Sequence, residues 1–130
     1  MIVLVLLGPL ISGCGSESAS APREAATRFA HSLSAQDGAA ACRLLAPETK
    51  SQLEQAAGKK CPAAILDEDL PEADAIEDSS TFGTMAQVTF GGDVMFMTEF
   101  PSGWKVMAAG CSTAPGQQPG QPYDCQVQGG

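Results

Sequence analysis

Apolar residues that recur at helical spacing predict a helix near the start of the chain. Ala26, Phe29, Ala30 and Leu33 lie at positions i, i+3, i+4 and i+7, so one face of this segment is apolar. Pro22 stands just before them, and proline suits the first turn of a helix because the N–H that it lacks has no helical partner there. The pattern therefore predicts a first helix that begins at Pro22.

Shorter helical segments follow. Asp37 is placed to cap a second short helix that runs through Leu45, because an aspartate oxygen accepts a hydrogen bond from a free N–H in the first turn. Pro47 predicts the start of a third helix, and Gly58 predicts its end. Residues 61–66 are predicted to form one more short helical turn.

From Thr84 onward the spacing of apolar residues changes to two, which predicts β-strands. Three segments show this alternation; their apolar sets are Ala86, Val88 and Phe90, then Val94 and Phe96, then Trp104, Val106 and Ala108. Another strand is expected before them, near residues 73–81. Consecutive strands with short turns predict an antiparallel meander.

The turns give a prediction of strand register. A three-residue loop at residues 91–93 and another at residues 101–103 would both gather the aromatic side chains on one face of the sheet, whereas a two-residue Gly-Gly turn would scatter them. The aromatic face then holds Phe90, Phe96, Phe100 and Trp104, and the reverse face holds Met85, Met95, Met97 and Met107. In this register Glu99 lies opposite Lys105. The aromatic face is suited to receive the helices.

These elements predict one α+β domain, residues 22–128, in which N-terminal helices pack on a curved antiparallel β-meander. Residues 112–122 are rich in Pro, Gly and Gln and predict a loop that would be disordered alone. The segment after Tyr123 is expected to run along a sheet edge.

Charge limits the partners. The net charge is −8 and the pI is near 4.3, which argues against nucleic acid because nucleic-acid affinity depends on Lys and Arg near phosphates. Residues 67–78 hold seven carboxylates in twelve positions. They lack the glycine and ligand spacing of a helix-loop-helix calcium site, so a solvated connection is favoured over a calcium loop.

The N-terminus resembles a lipoprotein signal. Residues 1–13 are apolar but too short to span a bilayer as a helix. Ile11-Ser12-Gly13-Cys14 resembles the lipobox of bacterial lipoproteins, in which the cysteine is acylated and becomes the first mature residue. This predicts a signal peptide at residues 1–13, a lipidated Cys14 and a flexible tether at residues 14–21. The alternatives are an ordinary secretory peptide or a buried N-terminal strand.

The usual basic segment of a signal peptide is missing, since no Lys or Arg precedes Arg23. We therefore expect translation to start upstream of Met1.

If Cys14 carries lipid, an even number of cysteines remains, which indicates two disulfides in an exported protein. Four cysteines allow three pairings. We favour Cys42 with Cys61 and Cys111 with Cys125, because each pair lies within one structural region. A zinc site is the weaker alternative, since no Cys-x-x-Cys pair is present and His31 is the only histidine.

Candidate chemistry is sparse. His31 is expected on the solvent side of the first helix, away from the apolar face, so we expect no catalytic role for it. The methionine face has three interpretations. The first is that the tail, another segment or a second subunit covers it. The others are contact with an adaptable protein partner and copper(I) binding through thioethers. No nucleophile with a placed base and no phosphate loop is recognisable, and no metal or cofactor is predicted.

Helices followed by a curved meander are similar in pattern to the cone-shaped fold of the nuclear transport factor 2-like superfamily. The segments "FAHSLSAQDGAAACRLLAPET", "GWKVMAAGC" and "PYDCQVQGG" resemble small actinobacterial lipoproteins of unknown function. The resemblance implies a pocket between helices and sheet that different members use for catalysis, ligand binding or protein contact. Its inferred lining is Phe29, Leu33, Val88, Phe96 and Trp104.

The expected function is a non-catalytic binding or interaction module, anchored by lipid on the extracytoplasmic side of the cell membrane. A protein partner or self-association is expected, a small-molecule ligand is the first alternative, and nucleic acid is not expected. An enzyme of the polyketide-cyclase or isomerase type is the second alternative. The resemblance places Asp, His or Tyr in the pocket of those enzymes, and no such residue is placed there from this sequence.

Overall fold

The computed structural model describes residues 16–70, 75–91, 93–112 and 123–129, and in these ranges four helices pack against one five-stranded antiparallel sheet. The predicted α+β class is confirmed. The strands are hydrogen-bonded in chain order, as in a meander. The elements are α1 (Ser16–Ser34), α2 (Gly38–Arg43), α3 (Pro47–Ala57), α4 (Cys61–Asp67), β1 (Ile76–Phe82), β2 (Met85–Phe90), β3 (Asp93–Phe100), β4 (Gly103–Ser112) and β5 (Asp124–Gln128).

The first helix begins earlier than the sequence predicts. Helix α1 starts at Ser16 rather than at Pro22, so residues 16–21, predicted as part of a tether, are helical. Pro22 lies inside the helix, where its missing N–H removes one helical hydrogen bond. Its ring is among the fully buried side chains, and this burial offsets the lost bond.

Helices α2 and α4 are in close contact. Asp37 caps α2 as predicted, because its Oδ1 accepts a hydrogen bond from the Ala40 amide at 3.0 Å. A Cβ atom on Gly38 would lie 2.1 Å from the Pro62 carbonyl oxygen, so only glycine fits at this crossing. The predicted disulfide between Cys42 and Cys61 joins the same two helices.

The connection between α2 and α3 extends the sheet. The Val106 amide donates to the Leu44 carbonyl at 2.7 Å, and the Ala46 amide donates to the Val106 carbonyl at 2.8 Å. In the first turn of α3, the buried Thr49 hydroxyl donates to the Met107 carbonyl at 2.8 Å. Helices and sheet are therefore joined by backbone hydrogen bonds as well as by side-chain packing.

The predicted strand register is wrong by one residue at both hairpins. Phe90 lies opposite Asp93, so two residues rather than three separate β2 from β3. Phe100 lies opposite Gly103, and the same shift places Glu99 opposite Trp104 rather than opposite Lys105. Because side chains alternate between the faces of a strand, this one-residue shift exchanges the two faces of β3.

Two β-bulges also change the register between β3 and β4. Phe96 pairs with Ala108 while Met97 pairs with Val106, and Val94 pairs with Cys111, so β4 carries an extra residue at two places. Each extra residue shifts the pairing of the rest of β4 by one position. The pairing beyond it therefore does not follow from the hairpin turn alone.

The helices therefore cover a face of the sheet that mixes aromatic and methionine side chains. The buried residues of this face are Ala86, Val88, Phe90, Met95, Met97, Trp104, Val106, Ala109 and Val127. Phe29 of α1 and Ile65 of α4 lie against them and are fully buried. The predicted aromatic face is thus correct for Phe90 and Trp104.

A second, smaller cluster lies on the reverse face, where the chain after the loop returns. Val94, Ala108 and Cys111 are buried there, and Phe96 and Tyr123 pack on them with ring centroids 5.2 Å apart. Strand β5 pairs with β4, and the second predicted disulfide joins Cys111 to Cys125. The predicted course of the tail along a sheet edge is confirmed for residues 124–128.

Candidate functional site

A pocket of about 190 Å³ lies between α1, α4 and the sheet. Helix α1 contributes one wall, α4 and the residues after it contribute another, and the facing ends of β2 and β3 form the base. The lining is Phe29, Ala30, Leu33, Ser34, Gln36, Ile65, Leu66, Glu68, Leu70, Phe90, Asp93 and Met95. The pocket is therefore formed by residues that also build the core.

Most of the lining is apolar. Phe29 and Ile65 are fully buried, and Phe90 and Met95 are exposed by only 3 % and 5 %. Apolar cavities of about 150 Å³ in proteins are known to take up a molecule the size of benzene. The pocket of about 190 Å³ is thus large enough for one small ring or a short alkyl chain.

Asp93 supplies the most distinctive polar group of the pocket. Desolvation by burial raises the pKa of its carboxyl above the ordinary value, and a hydrogen bond with the Val94 backbone acts in the opposite direction. The carboxyl is placed here because Asp93 starts β3 directly opposite Phe90. A half-buried carboxyl beside apolar side chains can accept a hydrogen bond from a ligand, or donate one when protonated.

The pocket combines carboxyls with no cation. Glu68, which follows α4, is the other titratable side chain among the lining residues that the structure describes, and none of these is Lys, Arg or His. Proton-transfer catalysis generally also needs a group that stabilises the charge that develops on the substrate. Among the described lining residues, Ser34 and Gln36 are the other side chains that could donate a hydrogen bond to such a charge.

The structure brings together only part of the pocket inferred from the sequence. Phe29 and Leu33 line the pocket as predicted. Val88 and Trp104 are buried in the helix-facing core without lining it, and Phe96 packs on Tyr123 on the reverse face. Phe96 is displaced by the register error in β3, whereas Val88 and Trp104 face the helices as predicted but lie away from the pocket.

Sequence reasoning missed Asp93, which it treated as a turn residue. The alternative of a two-residue Gly-Gly turn would have found it, because that turn places Asp93 in the strand opposite Phe90. That alternative was set aside because it scatters the aromatic side chains.

The four methionines do not share one face. Met95 and Met97 are buried beneath the helices, because they lie opposite Val88 and Ala86. Met85 and Met107 remain on the reverse face, where the Thr98 hydroxyl contacts their sulfurs at 3.3 and 3.7 Å. A partner surface or copper site made of all four is therefore excluded.

The other candidate residues fall outside the pocket. His31 is exposed on α1, as predicted. Cys14 and most of the loop at residues 112–122 lie outside the described residues. In the part of the chain that is described, no three His, Cys, Asp or Glu side chains are grouped to hold a metal ion. Over the same ranges, no helix has the length and apolar character needed to cross a membrane.

No protein-family model, curated protein or solved structure matches this chain. The pocket residues and the surface around them are therefore the basis on which its function is inferred.

Proposed function

We propose that this protein is an exported, lipid-anchored binding protein that holds a small, mainly apolar ligand in the pocket between α1, α4 and the sheet. The observation that carries this proposal is the pocket of about 190 Å³, whose lining residues are mostly apolar and include the half-buried carboxyl of Asp93. Small-molecule sites commonly combine an apolar lining with a few polar groups that orient the ligand. Helices on one face of an antiparallel sheet, with a pocket between them, also support the resemblance to the nuclear transport factor 2-like superfamily.

Binding is favoured over the enzymatic alternative by what surrounds Asp93. A ligand hydroxyl or amine would need only to donate one hydrogen bond to this carboxyl, which is a role that one group can perform. No cation among the described lining residues could stabilise an oxyanion or enolate beside it. The protein is therefore proposed as non-catalytic.

Filling the mouth of the pocket should abolish ligand binding. Ala30 lies on α1 at the pocket wall, so Ala30→Phe would put an aromatic ring into the ligand's space. We expect octan-1-ol to bind the wild-type pocket and to bind this variant at least about tenfold more weakly. Calorimetric titration of the full chain tests this, with Cys14→Ser in every sample so that no attached acyl chain competes.

Ala56→Phe is the matched control, since Ala56 is exposed on α3 and away from the pocket. It should bind octan-1-ol as the wild type does. If octan-1-ol fails to bind the wild type, or if both variants bind it equally well, the proposed pocket function is refuted.

Membrane attachment through Cys14 is the second part of the proposal. Two disulfides support export, because disulfides persist mainly in oxidising compartments. Two acyl chains on one residue would give stable anchoring, since each buried methylene contributes about 0.8 kcal/mol. We infer an extracytoplasmic location on this basis.

Cells supplied with radiolabelled palmitate should label the wild-type chain and leave Cys14→Ser unlabelled. Ser18→Ala is a suitable control, because it alters a neighbouring residue and keeps the acylation site. Equal labelling of the wild type and Cys14→Ser would exclude acylation at this cysteine.

A further inference from the structure

A groove runs along α1 and joins the pocket. Its volume is about 920 Å³, and it is open to solvent between α1 and the start of β1. Ala30, Ser34 and Phe90 line both the groove and the pocket. The two spaces therefore adjoin at these residues, and a ligand that passes between them would reach from the pocket into the groove.

The wall of the groove is one row of residues on α1. Arg23, Thr27, Ala30 and Ser34 follow one another at i, i+4, i+7 and i+11, which places them on one side of the helix. Arg23 lies seven residues before Ala30, which is roughly 10 Å along the helix axis. The row leads from Ala30 at the mouth of the pocket to the guanidinium group of Arg23. A short alkyl chain can span this distance.

The groove is positively charged although the protein is acidic. Arg23, Arg28 and His31 line it, and Glu24 is the only carboxylate among the lining residues that the structure describes. None of the three basic side chains forms an ion pair with another described residue. In a chain of net charge −8, two arginines that form no ion pair with another described residue and lie beside the pocket are suited to an anionic group.

Further cations lie across α1 from this groove. Arg43 and Lys105 line a second depression together with Arg28 and His31, and no carboxylate is among the described residues that line it. The Lys105 ammonium donates a hydrogen bond to the Arg43 carbonyl at 2.7 Å, which holds Lys105 in place. The positive potential thus extends over both sides of the exposed face of α1.

The two spaces carry opposite charge. The described lining of the pocket holds Asp93 and Glu68 with no cation, whereas the groove holds Arg23, Arg28 and His31 with one carboxylate, Glu24. An anionic group would be disfavoured in the pocket and favoured in the groove. An apolar ligand with an anionic end would therefore have one orientation.

From this arrangement we propose that the ligand is a single-chain amphiphile whose apolar body fills the pocket and whose anionic head lies in the groove near Arg23 and Arg28. The head is a carboxylate or a phosphate monoester, both of which match the donor geometry of a guanidinium group. This inference rests on the proposed function, because it names the class of ligand that the same pocket takes.

The test compares ligands that share a chain and differ in the head. Octan-1-ol, octanoate and octyl phosphate are titrated calorimetrically into the full chain carrying Cys14→Ser, at low and at high salt. We expect at least one of the two anions to bind about tenfold more tightly than octan-1-ol, as one charge-assisted hydrogen bond would give. The preferred anion distinguishes a carboxylate from a phosphate head, and the preference should shrink as salt rises.

The variant Arg23→Gln with Arg28→Gln should lose the preference for the anions and still bind octan-1-ol as the wild type does. Lys50→Gln with Lys60→Gln is the matched control, since it removes the same charge from exposed positions outside the groove. Equal binding of all three ligands by the wild type would overturn the amphiphile inference and leave the pocket function standing. An anion preference that survives in the arginine variant would likewise overturn the amphiphile inference and leave the pocket function standing. Failure of all three ligands to bind would overturn both.

Discussion

Replacing Phe29 with alanine should lower the free energy of unfolding by about 4 kcal/mol, as complete removal of a buried aromatic side chain typically does. Phe29 is fully buried where α1 meets the sheet, and it also lines the pocket. The neighbouring walls belong to helices and strands fixed by other contacts, so they would close only part of the space. Equilibrium unfolding in urea, with the disulfides intact, measures the change.

Phe82→Ala provides the comparison, because Phe82 ends β1 with 69 % of its surface exposed. The same substitution there should change the free energy of unfolding by less than about 0.5 kcal/mol. A similar loss at both positions would contradict the difference in burial between Phe29 and Phe82. So would a loss below about 1 kcal/mol at Phe29, since burial alone predicts several times more.

The second large effect is expected from removing the disulfide between α2 and α4. The variant Cys42→Ala with Cys61→Ala should lose about 3 kcal/mol of stability, because the bridge closes a loop that restricts the unfolded chain. The two cysteines are 19 residues apart, and both are buried. Alanine leaves no unpaired polar group at either position, so the change reports mainly the lost cross-link.

Urea unfolding of this variant is best compared with Cys111→Ala plus Cys125→Ala, which removes a bridge of separation 14 between paired strands. The chain-entropy estimate predicts similar losses from the two, slightly larger for the longer loop. Wild-type protein treated with dithiothreitol should be less stable than either variant, because both bridges are then open. A loss below about 1 kcal/mol at Cys42 and Cys61 would show that the packing of α2 on α4 at Gly38 suffices by itself.

The basic surface beside the pocket could be predicted from the sequence only in part. Arg23 and Arg28 of the groove lie on α1, close in the chain to one another and to the pocket residues Phe29 and Ala30, so this part of the basic surface is local in sequence. Arg43 and Lys105 are 62 residues apart, yet their segments are joined by a hydrogen bond. The second depression, by contrast, has Arg43 and Lys105 in its lining only because α2 and β4 meet in the fold.

The exchange of the two faces of β3 has a similar origin. Met95, Met97, Val94 and Phe96 are all apolar, and the charged residues Asp93 and Glu99 lie toward the ends of the face that carries Met95 and Met97, so polar residues do not mark the exposed face of this strand. A register is strongly specified by sequence only when one face must be buried and the other must be polar. The observed register of β3 goes with the two-residue turns and with the bulges in β4. Strand β4 also pairs with β5 and with the residues before α3.

Local rules predicted several features that depend on neighbours in the chain, although they failed at the start of α1 and at the lengths of the two hairpin turns. The caps at Asp37 and Gly58, the four-helix and meander order, and the pairing of cysteines within each half followed from spacing and residue type, because those interactions span few residues. The register of β3, the burial of Met95 and Met97, the place of Asp93 in the pocket and the groove beside Arg23 were decided by the tertiary structure. Each of these depends on which residues of distant segments meet, and the free energy of such long-range packing is not expressed in any one stretch of the sequence.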